Sequence, residues 1–306
     1  MLSKDNKSVR PPRLKPGDTI GIVAPAGPFD SEKFMKGKTV LESMGFQTFF
    51  DEGIFQKHGF LAGTDIQRTD QLNRLFADPT VQAIACARGG YGSIRILSFL
   101  DFKTIKKHPK IFLGFSDISA LLSVLYEQCG LVTFHGPVVT TLAKATKKTI
   151  MAMKTALTSD APLELTPEDG KVIKPGVCSG LVAGGNLTTL CHLVGTPYAP
   201  NFKGKILLLE DVGEMPYRID RMLTQMKLAG CFNGIAGLIL GVFEECGHLN
   251  EIVEIFNNIF ENANIPILAG FGMGHGEHNL TIPMGLGATL DTDKNRLLFH
   301  EPATVV

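Results

Sequence analysis

The feature that most constrains the fold is an alternation of short apolar runs with stretches of helical spacing, from Thr19 to about Leu142. Four runs are rich in β-branched or apolar residues and are typical of strands: TIGIVAPA, VQAIACA, KIFLGFS and LVTFHG. The intervening stretches SEKFMKGKTVLESMG and DIQRTDQLNRLFADP repeat apolar residues at helical spacing. This alternation predicts an α/β fold in which helices cover a parallel sheet.

The second half of the chain has a different pattern. Strand-like runs outnumber helical stretches there, which favours a mixed α+β domain. Its runs are GVCSGLVAGGN, GKILLLEDV, GIAGLILGVF, PILAGFGMG and ATLDTDKNRLLFH. A stretch rich in Lys, Thr, Asp and Pro separates the two halves. We therefore predict a first domain at residues 1–145, a linker at 146–175 and a second domain at 176–306.

The charge balance excludes some classes of function. Thirty Lys and Arg residues offset 30 Asp and Glu residues, so no net field attracts nucleic acid or an anionic membrane. No apolar run is long enough to span a bilayer, and the N-terminal stretch lacks the apolar centre of a signal peptide. The six cysteines form no CxxC pair and are interpreted as reduced packing residues. We expect a cytoplasmic protein that acts on a small molecule or peptide; the sequence leaves monomer and homodimer both open.

The stretch KIFLGFSDISALLSVLYEQ is the most informative, because a strand in it is followed at once by a helix. Ser116 lies on the turn between them, which lifts its hydroxyl clear of the sheet edge and places the Asp117 N–H at a helix start. This arrangement resembles a nucleophile elbow with one oxyanion donor. Ile118 stands where the pattern G-x-S-x-G has its last glycine, so a second interpretation stays open, in which Ser116 or Asp117 caps the helix.

A glycine-rich turn follows the preceding strand, in ACARGGYGSIRILSFL. Consecutive glycines let backbone N–H groups approach a phosphate or a polarised oxygen closely. Dinucleotide binding also needs an acidic residue at the end of the next strand, and that strand ends in Ser116 instead. We therefore predict that the Gly90 N–H is the second oxyanion donor, with a plain flexible turn as the alternative.

Two residues of the second half are predicted to complete a hydrolase site with Ser116. Glu210 ends the apolar run KILLLE, where a carboxylate is costly without a partner. His275 lies between glycines in GFGMGHGEHN, a loop whose small residues allow close approach to another segment. A serine nucleophile needs a base, and the base needs an acceptor that fixes its tautomer. His275 and Glu210 have the chemistry for these two roles.

Five motifs, taken together, resemble the LD-carboxypeptidase family, the serine peptidases that include muramoyl-tetrapeptide carboxypeptidase. They are, in order along nearly the whole chain, ARGGYGS, GFSD, GLVAGGNLTTL, LLLEDVGEMPYRIDRML and GHGEHNLTIPMG. The resemblance implies a Rossmann-like N-terminal domain with the serine, a C-terminal barrel-like domain with the Glu and His, and an active site in the cleft between them. It also implies hydrolysis of an L,D-amide bond that releases C-terminal D-alanine from a murein tetrapeptide in peptidoglycan recycling.

The resemblance gives single residues a role. Ser116 matches the nucleophile of the family's GxSD segment, Glu210 the first acidic residue of LEDVGE, and His275 the histidine of GHG. Three residues compete by type: Asp211, Glu214 and His278. Asp211 is expected on the opposite side of its strand from Glu210, and Glu214 is expected in a turn before a helix.

A carboxypeptidase also needs groups that hold its substrate. Arg88, beside the glycines, is the predicted partner of the terminal carboxylate, and Asn186 is a predicted polar contact; an ion pair is the alternative role of Arg88. We predict no metal and no cofactor, because His275 and His278 lie in a glycine-rich loop without the HExxH spacing of a zinc helix. His135, at the end of a strand, is interpreted as a structural histidine.

Two other functions stay open from the sequence. One is an immunity hydrolase within the same family that cleaves an aminoacyl-nucleotide antibiotic, although the chain has no Trp to stack on a base. The other is a non-catalytic protein that holds a peptide in the same cleft. Labelling with a serine-reactive phosphonate would separate an enzyme from a binding protein.

Overall fold

The computed structural model describes residues 8–306, which form ten α-helices and 14 β-strands. The helices are α1 (Ser31–Ser43), α2 (Asp65–Ala77), α3 (Ser93–Ile96), α4 (Phe102–Lys107), α5 (Ser119–Cys129), α6 (Val139–Leu142), α7 (Lys147–Thr158), α8 (Leu187–Leu193), α9 (Pro216–Leu228) and α10 (Leu249–Ile259). The strands are β1 (Thr19–Val23), β2 (Gln47–Phe49), β3 (Ala83–Cys86), β4 (Ile111–Gly114), β5 (Thr133–His135), β6 (Glu164–Leu165), β7 (Lys171–Lys174), β8 (Val177–Asn186), β9 (Lys205–Val212), β10 (Gly237–Glu244), β11 (Ile267–Ala269), β12 (Ile282–Met284), β13 (Gly287–Asp291) and β14 (Arg296–Phe299). Each strand-like run in the sequence contains at least part of a strand. No helix within residues 8–306 is both long and apolar enough to cross a lipid bilayer.

The chain divides into two compact units. The first holds the described residues up to Ala161 together with Leu280–Gly285 and Ala303–Val306, and the second holds Pro162–Asn279 and Leu286–Pro302. The predicted linker at 146–175 differs from this division, because it contains regular structure of both units. Helix α7 belongs to the first unit, where Leu157 accepts a hydrogen bond from the Leu14 N–H, and β6 and β7 join the sheet of the second.

The first unit is built on a six-stranded sheet in the order β12-β5-β4-β3-β1-β2. Strands β1 to β5 are parallel, and β12 joins the edge next to β5 antiparallel. Because β3 and β4 are neighbours, the glycine-rich turn and Ser116 leave the same edge of the sheet side by side. The sheet confirms the parallel α/β arrangement predicted from the alternating pattern.

The second unit is built on an eight-stranded mixed sheet in the order β6-β14-β13-β8-β9-β10-β11-β7. Its central strands β8 to β11 are parallel, and β13, β14, β6 and β7 pair antiparallel at the two sides. The carboxyl ends of β8 and β9 therefore meet at one edge, where Asn186 pairs with Glu210. The mixed sheet confirms the second part of the predicted α/β fold.

The start of helix α2 is determined by its local sequence. Thr64 Oγ1 accepts a hydrogen bond from the Gln67 N–H at 3.2 Å, and Gln67 Oε1 accepts one from the Thr64 N–H at 2.9 Å. This capping box fixes where the helix begins. The buried side of α2 consists of apolar side chains and, unexpectedly, Arg68. The helix therefore presents a guanidinium to the interior of the first unit.

Candidate active site

Ser116 directly follows β4, where the chain turns into a short 3-10 helix (Ser116–Ile118) that leads into α5. Its φ is +63°, in the left-handed region that residues other than glycine rarely adopt. Phe115 and Asp117 on either side are buried, whereas Ser116 is partly exposed. The turn thus combines backbone strain with an accessible hydroxyl, which is the local geometry of a nucleophile elbow.

The glycine-rich loop after β3 lies directly against Ser116. A β-carbon on Gly89 would be 2.8 Å from Ser116 Cβ and 3.0 Å from its Oγ, so a glycine is required for this approach. Gly90, the next residue, is exposed and has φ of +101°. The loop therefore brings the residue predicted as an oxyanion donor close to the serine, and its donor role stays a prediction.

Asp117 has a different structural role from the one considered in the sequence. The N-cap residues of the 3-10 helix and of α5 are Phe115 and Ile118, and neither makes a side-chain cap, so the interpretation that Ser116 or Asp117 caps that helix is wrong. The Asp117 carboxylate instead accepts the Ser93 N–H at 2.8 Å, at the start of α3. Burial raises the pKa of the Asp117 carboxyl, whereas hydrogen bonds from Ser93 and Gly92 oppose the rise. Asp117 thus fastens the end of the glycine-rich loop beside Ser116.

Glu210 and His275 meet in the second unit. Glu210, near the end of β9, has a fully buried side chain, and His275, in the loop after β11, has a side chain that is 18% exposed. His275 Nδ1 lies 2.7 Å from Glu210 Oε2. An ionised carboxylate only accepts hydrogen bonds, so we assign the proton to Nδ1 and the lone pair to Nε2. This is the tautomer of a base that a carboxylate orients.

Two features hold the His275 loop against Glu210. The Gly274 N–H donates a hydrogen bond to Asn279 Oδ1 at 3.0 Å, which fixes the backbone just before His275. Gly274 has φ of +101°, and a β-carbon at this position would collide with the Glu210 carboxylate. The short contact between carboxylate and imidazole therefore depends on a glycine at 274.

We expect Gly274→Ala to lower kcat by about 10²-fold or more, because the added methyl displaces the carboxylate that orients the imidazole. The matched control is Gly195→Ala. Gly195 also has positive φ, +85°, but no described atom lies within 4 Å of its β-carbon position. Both variants carry backbone strain of about 1–2 kcal/mol. A difference between their kcat values, measured per folded molecule, therefore reports the collision with the Glu210 carboxylate and not the strain. Equal activity of the two variants would contradict the role of Gly274.

Asp211, the neighbour of Glu210 on β9, has different partners. Its carboxylate accepts hydrogen bonds from Asn186 Nδ2 at 2.9 Å, the Thr188 N–H at 2.9 Å and Thr188 Oγ1 at 2.7 Å. Burial raises the pKa of the Asp211 carboxyl, and these hydrogen bonds oppose the rise. Asp211 therefore joins β9 to the start of α8, as expected for a side chain that points away from Glu210.

The other two competitors are also engaged elsewhere. Glu214 Oε2 lies 3.5 Å from Arg218 Nη1, and His278 Nε2 lies 3.8 Å from Glu168 Oε2. Of the five acidic or histidine candidates around the two motifs, Glu210 and His275 form a hydrogen bond with each other. The structure thus favours the pair chosen from the sequence, while the catalytic roles of both residues stay predictions.

The two predicted substrate contacts lie in different surroundings. Arg88 is exposed, and its Nη1 donates a hydrogen bond to the Pro28 carbonyl at 2.5 Å. Asn186 is buried, and its amide oxygen accepts the Thr189 N–H at 3.0 Å, which caps α8. Arg88 is accessible to a ligand, whereas Asn186 has a structural role that the sequence analysis did not foresee. Contact of either residue with substrate stays a prediction.

Other residues complete the description of the site. His135 is fully buried at the end of β5 and packs edge-on against Phe115, with ring centroids 6.0 Å apart. The sequence analysis did not single out Arg68 or Asn279. The position of Arg68 on the apolar side of α2, one turn before Leu72, is a sequence signal that could have identified it. Within residues 8–306, no three His, Cys, Asp or Glu side chains are grouped so as to hold a metal ion.

Comparison with known proteins gives consistent matches over nearly the whole chain. Residues 20–136 match the model of the LD-carboxypeptidase N-terminal domain, and residues 179–290 match that of the LD-carboxypeptidase C-terminal domain. A probable murein peptide carboxypeptidase of Bacillus subtilis (strain 168) is 36% identical over 297 residues, which are 92% of each chain. The microcin C7 self-immunity protein MccF of Escherichia coli is 29% identical over 94% of each chain. The crystal structure of an MccF-like protein from Bacillus anthracis str. Ames superposes with a TM-score of 0.90 at 29% identity, covering 96% of this chain and all of that one.

Proposed function

The chain belongs to the LD-carboxypeptidase family of serine-type hydrolases, and from this premise we propose that it removes the C-terminal D-alanine of a murein tetrapeptide. The bond cleaved is the amide between an L-centre and that D-alanine, and the reaction is a step of peptidoglycan recycling. Family membership makes the protein an enzyme, so the non-catalytic binding protein considered from the sequence is not retained.

The observation that carries the proposal is the hydrogen bond between His275 Nδ1 and Glu210 Oε2. It leaves a lone pair on Nε2, the atom that takes a proton from a nucleophile. Ser116, with its left-handed φ and accessible hydroxyl, supplies the matching nucleophile in the first unit. Ser116, His275 and Glu210 are the proposed catalytic residues.

In the proposed reaction, Ser116 Oγ forms a bond to the carbonyl carbon while its proton passes to His275 Nε2. The carbonyl oxygen becomes an oxyanion that accepts hydrogen bonds from the Gly90 and Asp117 N–H groups. The imidazolium then gives its proton to the departing nitrogen, the C–N bond breaks and D-alanine leaves. Water attacks the acyl-enzyme in the same way, with His275 again as base, and regenerates Ser116. Glu210 holds the imidazole orientation throughout and stabilises its charged form.

Arg88 is the proposed partner of the terminal carboxylate. One of its nitrogens is engaged by the Pro28 carbonyl, which positions the guanidinium beside the glycine-rich loop. The remaining N–H groups of an exposed guanidinium suit a carboxylate, because they can donate two parallel hydrogen bonds. A positive charge here explains why a free C-terminus would be preferred over an internal amide.

A second candidate is hydrolysis of an aminoacyl-nucleotide antibiotic, and the similarity to the MccF-like protein favours it. The murein peptide is placed first because the identity to the murein peptide carboxypeptidase is higher, 36% against 29%. The chain also contains no Trp for stacking on a nucleobase.

We expect the purified protein to release one D-alanine from L-Ala-γ-D-Glu-meso-diaminopimelyl-D-Ala, as measured by mass spectrometry. The matched control substrate ends in L-alanine, so it differs from the tetrapeptide only in the configuration of the last residue. It should stay intact, because the proposed reaction releases a D-amino acid. A pentapeptide ending in D-Ala-D-Ala should also stay intact. An aminoacyl sulfamoyl adenosine, tested in parallel, separates the second candidate. Cleavage of that compound with no loss of alanine from the tetrapeptide would overturn the proposal in favour of the second candidate.

A further inference from the structure

Arg68 is an unusual residue for the interior of a protein. It is the fourth residue of α2, and its side chain has no exposed surface. Arginine is almost never fully buried without a partner, and a cation near the start of a helix is disfavoured by the helix dipole. Its Nε has no hydrogen-bond partner within residues 8–306, and a buried donor of this kind costs about 1–3 kcal/mol. Stability alone does not explain this residue.

The other nitrogens of Arg68 connect three segments of the first unit. Nη2 donates to Asp65 Oδ1 at 2.5 Å, which supplies the countercharge. Nη1 donates to the Gly92 carbonyl at 2.9 Å and to the Pro25 carbonyl. Pro25 belongs to the loop after β1, and Gly92 ends the glycine-rich loop after β3. A single planar guanidinium thus ties the two loops to the start of α2.

The Gly92–Ser93 peptide bond is held from both sides. Its carbonyl accepts the hydrogen bond from Arg68, and its N–H donates to the Asp117 carboxylate at 2.8 Å. A peptide unit is planar, so two hydrogen bonds at opposite ends fix its orientation. The result is a chain of contacts, Arg68–peptide–Asp117, in which a buried cation and a buried anion face each other across one amide dipole. The same loop contacts Ser116 through Gly89.

We infer that Arg68 is a positioning residue, which fixes the glycine-rich loop so that the Gly90 and Asp117 N–H groups are aligned on the oxyanion formed at Ser116. The inference rests on the proposed function, because it uses the oxyanion donors assigned there. Oxyanion donors act only when they lie about 2.7–3.1 Å from the developing charge. A loop held at Gly92 and at Ser93 meets this demand without rearrangement during the reaction.

Loss of the guanidinium should therefore lower the rate rather than weaken binding of the ground state. Methionine keeps the volume of the stem but leaves the Gly92 carbonyl without its donor and Asp117 without a cation. Lysine restores the positive charge and can donate to one of the carbonyls, but it lacks the planar guanidinium that binds several acceptors at once. A displacement of roughly 1 Å at a catalytic group can cost about 10²-fold in rate.

The test compares Arg68→Met and Arg68→Lys with the control Arg95→Met. Arg95 also binds Asp65, through Nη2 at 2.7 Å, but it is exposed, and its interaction with the glycine-rich loop is with the Tyr91 side chain, whereas Arg68 binds the Gly92 and Pro25 carbonyls. For each variant, kcat and KM on the tetrapeptide, the melting temperature and the rate of labelling of Ser116 by a fluorophosphonate are measured. Labelling forms the Oγ–P bond, releases fluoride and passes the serine proton to the base, so it reports on Ser116 without the peptide. Failure of the tetrapeptide as a substrate would count against the proposed function alone.

We expect kcat to fall by about 10²-fold in Arg68→Met and by about tenfold in Arg68→Lys, with KM within about threefold of wild type. Labelling should slow in the same order, and Arg95→Met should resemble wild type. Full labelling rates in folded Arg68 variants, a change confined to KM, or an equal loss in Arg95→Met would overturn the inference. An Arg68→Lys chain that does not fold would also count against it, because that result is explained by a structural role alone.

Discussion

Ser116→Ala is expected to lower kcat by about 10⁴-fold or more, because the alanine lacks the oxygen that attacks the substrate carbonyl. The fold should be preserved, since the substitution removes one partly exposed oxygen and keeps the β-carbon. Peptide binding, measured by calorimetry with the uncleaved tetrapeptide, should persist. Ser123→Ala, a partly exposed serine on α5, is the matched control and should retain wild-type kcat. Residual Ser116→Ala activity near the wild-type level would rule out Ser116 as nucleophile.

A second variant of the same residue separates strain from chemistry. Ser116→Gly removes the hydroxyl as well, but glycine adopts the observed φ of +63° without penalty. Relief of about 1 kcal/mol of strain should raise the melting temperature by about 2–4 °C while turnover is lost. A lower melting temperature for Ser116→Gly than for Ser116→Ala would contradict the view that the turn stores strain.

Glu210→Gln is expected to lower kcat by about 10²- to 10⁴-fold with little change in KM. The amide has the same shape but no charge, so it stabilises the imidazolium less and no longer dictates which ring nitrogen carries the proton. The kcat and KM of the wild-type enzyme and of Glu210→Gln are measured on the tetrapeptide. EDTA should leave both enzymes unaffected, because the proposed reaction uses no metal.

The controls for Glu210→Gln are the neighbouring carboxylates. Glu214→Gln removes the charge of a partly buried carboxylate that lies near Arg218, and Asp211→Asn weakens the hydrogen bonds that join β9 to α8. We expect wild-type kcat in the first and a lower melting temperature with near wild-type kcat in the second. A Glu210→Gln enzyme as fast as wild type would move the role to one of these two residues. Loss of activity in EDTA that zinc restores would overturn the serine mechanism.

Much of the fold follows from local sequence. The strands β3 and β4 are short and continuously apolar, and β1 and β5 are mostly or fully buried, which suits strands covered on both faces. Apolar residues at helical spacing predicted α1 and α2, and the direct passage from strand to helix predicted that Ser116 lies on a turn. These predictions depend on interactions between residues close in the chain, so the sequence alone suffices for them.

Strand pairing over long distances could not be read in this way. Strand β12 lies almost 150 residues after β5 in the chain and yet joins the first sheet, with Ile282 paired to His135. Its three residues carry the same local preference whichever sheet they join. The predicted linker likewise contains α7, β6 and β7, whose partners are set by packing and not by local composition.

The candidate site shows the same difference between local sequence and long-range packing. The sequence by itself determined that Ser116 lies on a tight turn between a strand and a helix, that Glu210 ends an apolar strand and that His275 lies in a glycine-rich loop, because each is a property of a short segment. Only the tertiary structure decided that His275 meets Glu210 and not Asp211, that Asp117 fastens the glycine-rich loop, and that Arg68 holds the other side of the same peptide. Each of these contacts joins segments distant in sequence, and its geometry is fixed by how the sheets and loops pack.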